Sequence, residues 1–182
     1  MKFVKGKYKI GDDEVPLGTK YLAHANQLTY CWIKFRDGKV VDRKFGRAAD
    51  RYVPPPREEL DDNDPRYWQA GKDGKPQDPW TLQRLLPFED METGEVVIFT
   101  SSSVGGKIAA EGLARTYAQR VKRRGTRALP IVSIGSTSYR SPTYGEVLMP
   151  DFVITGWEDT DDGGREVNFG KDDKPLDDSI PF

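Results

Sequence analysis

Gln27-Leu28-Thr29-Tyr30-Cys31-Trp32-Ile33-Lys34-Phe35, Arg36-Asp37-Gly38-Lys39 and Val40-Val41-Asp42-Arg43-Lys44-Phe45 follow one another without a break. The outer stretches are rich in aromatic and β-branched residues, and Asp-Gly between them is a tight-turn signal, so 27–45 reads as a β-hairpin. Side chains alternate across a strand. Tyr30, Trp32, Lys34 and Arg36 therefore share one face, and Cys31, Ile33 and Phe35 share the other. One face is apolar and suits a core; the other is aromatic and basic.

Working outward, Lys2 to Ile10 alternates basic and apolar residues and reads as an extra strand or arm. Downstream, residues 51–79 lose all periodicity in a run of Pro54-Pro55-Pro56, Asp61-Asp62-Asn63-Asp64-Pro65 and Gly71-Lys72-Asp73-Gly74. They read as a long exposed loop or finger, with Tyr67-Trp68 arguing for some ordered role. Trp80 to Phe88 and Glu95 to Ser101 form a second predicted hairpin. Ser101-Ser102-Ser103 then offers an N-cap for a helix over about 104–123, whose Ile108, Leu113, Tyr117 and Val121 are spaced to share a face. Lys122-Arg123-Arg124 and Gly125 supply its C-terminal signals. Two last strands, Leu129 to Ser138 and Glu146 to Trp157, flank a turn at 141–145.

Three or four strands, one helix and two strands is the order of an OB-fold. The expected architecture is thus mainly β with one helix: an OB-like five-stranded barrel over 1–157, with an N-terminal arm, the inserted loop 51–79 and a flexible acidic tail from 158 to 182.

The charge distribution supports that division. The chain of 182 residues carries a net charge of −1, yet residues 158–182 hold nine acidic and three basic residues, leaving a body with a net charge of +5. A basic body with an acidic tail suits a nucleic-acid binder whose tail competes for its own groove. One cysteine, Cys31, precludes an internal disulfide, and one histidine, His24, leaves no His/Cys metal set. No stretch has the length and apolarity of a membrane span or signal peptide, so a cytoplasmic protein with no membrane contact and no cofactor is expected.

Single-stranded nucleic acid needs rings on which bases stack and cations for its phosphates. Tyr30, Trp32, Lys34 and Arg36 offer both, joined by Arg43 on the second strand, by Trp80 and Arg84 on the third, and by Tyr139, Arg140 and Tyr144 around the last turn, where OB domains contact oligonucleotides. The same rings have another use, as packing beneath the long loop or the arm. Ser101 to Lys107 lies between a strand and a helix like a phosphate-binding loop but fails that pattern: Ser101 stands at the first glycine position, and Ile108 follows the lysine where a Ser or Thr is required. His24 has no nucleophile to partner, and the acidic clusters sit in loop-like settings, so no catalytic residue and no metal ligand is assigned.

The chain closes on Asp177-Asp178-Ser179-Ile180-Pro181-Phe182. This run resembles the C-terminal tip of bacterial single-stranded DNA-binding proteins, an aspartate cluster followed by Ile-Pro-Phe, although Ser179 stands where that family usually has another aspartate. The resemblance implies that Asp177, Asp178, Ile180, Pro181 and Phe182 dock on replication, recombination and repair enzymes. Independently of it, Phe182 offers a ring beside an α-carboxylate, Pro181 reduces the freedom lost on binding, and the aspartates steer toward basic partners. The expectation is a sequence-independent single-stranded DNA-binding protein of phage type, not an enzyme, whose tip recruits partners. Two alternatives stand beside it: an adaptor or decoy that carries the tip to host pockets with little DNA affinity, and a small metal-dependent nuclease or recombination accessory enzyme. Oligomeric state is left open.

Overall fold

The structure, a computed structural model, describes residues 1–71 and 74–160, together with Gly164, Glu166, Val167 and Phe169. The tip residues Asp177, Asp178, Ile180, Pro181 and Phe182 lie outside the described residues.

The chain is mainly β, with one long helix between strands. β1 (Lys2–Val4), β2 (Lys7–Ile10) and β3 (Asp13–Val15) form a small antiparallel meander; β4 (Lys20–Ala23), β5 (Thr29–Arg36), β6 (Lys39–Arg47), β7 (Trp80–Asp90) and β8 (Val96–Ser101) precede helix α1 (Val104–Arg124), and β9 (Leu129–Ser141) and β10 (Gly145–Glu158) follow it. The β5–β6 turn has the predicted chemistry. Arg36 pairs with Lys39, and the two residues between them, Asp37 and Gly38, both have positive φ, at 52° and 69°, as a type I′ hairpin turn requires.

β7 organises the main sheet. Its first half pairs with β5, its last residues pair with β4 on the same edge, and β8 runs along the other edge. β4 and β5 are thus laid end to end, separated by the 3-10 turn Ala25–Gln27. Pro87 falls at that gap. Its carbonyl accepts from the His24 amide, so its missing N–H faces the same edge, where no partner strand asks for a donor.

The expected closed five-stranded barrel is not formed. Along this half of β7 the path is β8-β7-β4-β9-β10, and among the described residues its two end strands do not pair. The N-terminal meander, read from the sequence as one extra strand or arm, bridges them instead. Met1 continues onto the edge of β8, its amine donating to Ile98 O at 2.6 Å and its carbonyl accepting from Thr100 N at 2.9 Å. Tyr8 spans to the far side, its hydroxyl donating to Gly135 O in β9 at 2.8 Å and lying 3.3 Å from Asp151 O in β10. The Tyr8 ring is fully buried among Phe3, Phe99 and Phe152. Phe88, Phe99 and Phe152 complete an aromatic centre with tilted and edge-on contacts, the geometry that ring quadrupoles favour.

α1 is capped as its sequence indicates. Ser103 Oγ accepts from Gly106 N, and Gly125, in the left-handed region, donates to Val121 O. Its buried face differs from the expected one: Gly106, Ala110, Leu113 and Tyr117 point inward, while Ile108 is exposed, because two residues from Ala110 is more than half a turn away. Gly105 lets the helix approach β10, since a Cβ there would lie 2.5 Å from Met149 Cβ.

A second, smaller apolar cluster of Cys31, Ile33 and Leu85 lies on the opposite face of the β5–β7 pair, with Phe35, Val40, Ile98 and Phe169 against it. Beyond β10 the chain touches the body again. Glu166 pairs with Arg47 at 2.7 Å, and Val167 N donates to Gln27 Oε1 at 2.8 Å.

Candidate nucleic-acid interface

The predicted division of β5 holds in three dimensions. Cys31 and Ile33 are buried in the small cluster, and Tyr30, Trp32 and Lys34 share the other face. Cross-strand pairing extends that face onto β7, placing Tyr30 opposite Arg84, Trp32 opposite Leu82 and Lys34 opposite Trp80. The second, fourth and sixth residues of β5 therefore meet a basic, an aliphatic and an aromatic partner on β7.

Loop 51–79 is exposed over most of its described length, as expected, and it docks over one end of this surface. A 3-10 turn at Ala48–Asp50 leads into the segment, and two more, Arg57–Glu59 and Pro65–Tyr67, punctuate it. Leu60 is buried, and Arg57 ties the loop together, its Nε donating to both Asp78 carboxylate oxygens at 2.9 and 2.7 Å and its other nitrogens reaching Asp61 O, Asp62 O and Asn63 Oδ1. The loop grips the strand face through polar contacts. Trp32 Nε1 donates to Pro55 O at 3.0 Å, Trp80 Nε1 to Asp61 Oδ1 at 2.8 Å, and Lys34 Nζ to Asp61 Oδ2 at 2.8 Å with Asp62 Oδ2 also at 2.8 Å.

These contacts set the electrostatics. Hydrogen bonds to Asp61 and Asp62 push the Lys34 pKa above that of an ordinary lysine, and bonds from Lys34 and Trp80 hold the Asp61 carboxyl below the usual range. Trp80 is buried, with the ammonium groups of Lys34 and Lys44 5.6 and 5.8 Å from its ring centroid. Lys34 and Trp80 are thus engaged by the loop, Arg36 stays exposed 3.6 Å from Asp62, and Tyr30, Trp32 and Leu82 are half-buried.

At the other end of the face stands α1. Arg84 Nε donates to Glu111 Oε1 at 2.6 Å, and the Arg84 guanidinium lies 4.3 Å from the Tyr30 ring centroid, a cation–π distance. Half-buried Arg43 sits on β6 opposite Ile33, on the small-cluster side of the hairpin and away from Tyr30 and Trp32. Tyr139, Arg140 and Tyr144 gather at the β9–β10 tip. Tyr144 is 81% exposed and Arg140 is exposed, so the turn projects a ring and a cation into solvent. The structure therefore brings together Tyr30, Trp32, Lys34, Trp80 and Arg84, and sets Arg43 and the tip residues apart.

Comparison with protein-family models, with curated proteins and with solved structures finds no match for this chain.

Among the described residues, no three His, Cys, Asp or Glu side chains converge as a metal set, and no helix is long and apolar enough to cross a membrane. His24 is fully buried with Nε2 3.1 Å from Glu89 Oε2, the setting of a core histidine with its polar edge satisfied. Sequence reasoning missed Lys107 and Glu111, which face Arg84 from the helix. The signal available for them was the Ser101–Lys107 stretch, whose lysine stands one turn into a helix that follows a strand.

Proposed function

We propose that this chain is a sequence-independent single-stranded DNA-binding protein whose acidic tip recruits replication, recombination and repair enzymes. The observation that carries the reading is the continuous face of Tyr30, Trp32, Leu82 and Arg84, half-open between α1 and loop 51–79. Bases stack on such rings for about 1 to 3 kcal/mol each, and cations beside them neutralise phosphates.

The strand order gives further support. β8-β7-β4-β9-β10, with the helix between β8 and β9, is the 3-2-1-4-5 order of an OB-fold whose third and fifth strands have been left unpaired. On that mapping the β5–β6 extension with loop 51–79 takes the place of the loop between strands one and two, and the Tyr139–Tyr144 turn takes that between strands four and five. Both are positions from which OB domains grip oligonucleotides. The acidic loop then acts as a resident competitor, and oligonucleotide must displace Asp61 and Asp62 before it reaches Lys34 and Trp80.

Titration of tryptophan fluorescence with labelled dT oligonucleotides at several salt concentrations tests this. Quenching at low salt that weakens as salt rises is expected, with Trp32→Ala folded and weaker in binding. No affinity at low salt rejects the DNA-binding reading. An adaptor or decoy with little DNA affinity is the second reading, and the loop's hold on Lys34 and Trp80 favours it; that protein binds tip-recognising enzymes normally and fails the titration.

A further inference from the structure

Lys107 belongs to the stretch that fails the phosphate-loop pattern, yet its surroundings give it a different role. β8 ends at Ser101, directly opposite Arg84, and α1 begins three residues later. The helix end is capped by its own residues, Ser103 Oγ accepting from Gly106 N and Ser103 O from Lys107 N. What stands open is the side-chain cluster beside it.

Arg84, Lys107 and Glu111 bring two cations and one carboxylate into a half-buried space. Arg84 spends its Nε on Glu111, while its Nη1 is shielded from solvent and has no hydrogen-bond partner among the described residues. The Lys107 ammonium makes no ion pair among them either. Burial first, and then the neighbouring Arg84 guanidinium, push the Lys107 pKa down, with Glu111 only partly opposing them. A singly charged ligand with several acceptor oxygens would restore the balance, and a phosphodiester is such a group. Tyr30, against Arg84, offers a ring to the base beside it.

We propose that Arg84 and Lys107 form a phosphate-binding subsite for the backbone of single-stranded nucleic acid, with Tyr30 as the adjoining stacking surface and Glu111 as the group that limits its strength. This rests on the DNA-binding reading above and fixes where along the face a phosphate sits.

The test uses the full chain and dT oligonucleotides across a salt series, with thermal melts of each variant. Lys107→Gln should melt like wild type, bind more weakly and lower the salt slope by about 0.7 to 1 unit. Glu111→Gln should bind more tightly, because removing the carboxylate leaves both cations to the phosphate. Lys9→Gln, in the separate meander sheet, is the control for general charge and should leave the slope almost unchanged. Equal losses from Lys9→Gln and Lys107→Gln, or an unchanged slope in Lys107→Gln with wild type binding normally, overturn the subsite alone. A wild-type protein without affinity overturns the DNA-binding reading with it. Titration with dTTP separates the sources of phosphate: saturation abolished by Lys107→Gln would reassign the subsite to free nucleotides.

Discussion

The Lys34 ammonium lies 2.8 Å from the Asp61 carboxylate and 2.8 Å from that of Asp62, so one buried lysine on β5 anchors the centre of loop 51–79. The alternation of β5 marks Lys34, whereas nothing in the sequence marks Asp61 as its partner. Their meeting converts a basic strand position into the docking point of an acidic loop.

This clamp predicts a pH window. Asp61 titrates below its ordinary range and Lys34 above its own, so the clamp is fully present between the carboxylate and lysine ranges. It is lost as pH falls through the depressed Asp61 value, or rises through the raised Lys34 value. Trp32, Trp68 and Trp80 all donate through Nε1 to loop atoms, and their emission should shift to the red on acidification below the usual carboxylate range. Asp61→Ala should show that shift already at neutral pH. An emission spectrum indifferent to both changes would contradict the clamp.

Tyr8 should behave as a structural keystone. Tyr8→Phe keeps the ring contacts and strands the Gly135 carbonyl, a loss of about 1 kcal/mol, whereas Tyr8→Ala should cost about 3 to 5 kcal/mol. Urea unfolding monitored by far-UV circular dichroism distinguishes the two, and equal stabilities would mean that the meander is not part of the cooperative unit.

Gly105→Ala should be destabilising despite alanine's better helix propensity. The new methyl meets Met149 Cβ, and a crowded contact of this kind costs about 1 to 3 kcal/mol. Gly112→Ala on the same helix has no atom within 4 Å of the added carbon and should be neutral or stabilising. Thermal melts of the pair check the contrast.

Removal of residues 177–182 should leave dT affinity equal to or higher than that of the full chain and abolish capture of tip-binding enzymes. Weaker oligonucleotide binding after truncation would contradict competition between the acidic tail and the ligand.

Legibility in the sequence followed the range of the interaction. Asp37-Gly38, Ser103, Gly125 and the β9–β10 turn are local signals, and the elements they bound formed where expected. β4 has only four residues and no alternation to display, its pattern being one exposed residue and three buried. The inward turn of Ala110 in place of Ile108 depends on where β10 and the 3-10 turn Ala25–Gln27 sit, not on hydrophobicity along the helix. The aromatic and basic face was legible as chemistry, but its partial cover was not, because Asp61 and Trp80 are bound by contacts that no periodicity encodes.

Tyr8 bears finally on how the chain reaches its fold. Its hydroxyl bonds to residues 127 and 143 positions downstream, so this segment, synthesised well before β9 and β10, finds its partners only when they have followed. Contacts of such sequence separation slow folding. The aromatic centre therefore completes after synthesis of β10, and until then Phe3 and Tyr8 are adhesive surface that the nascent chain must carry unpaired.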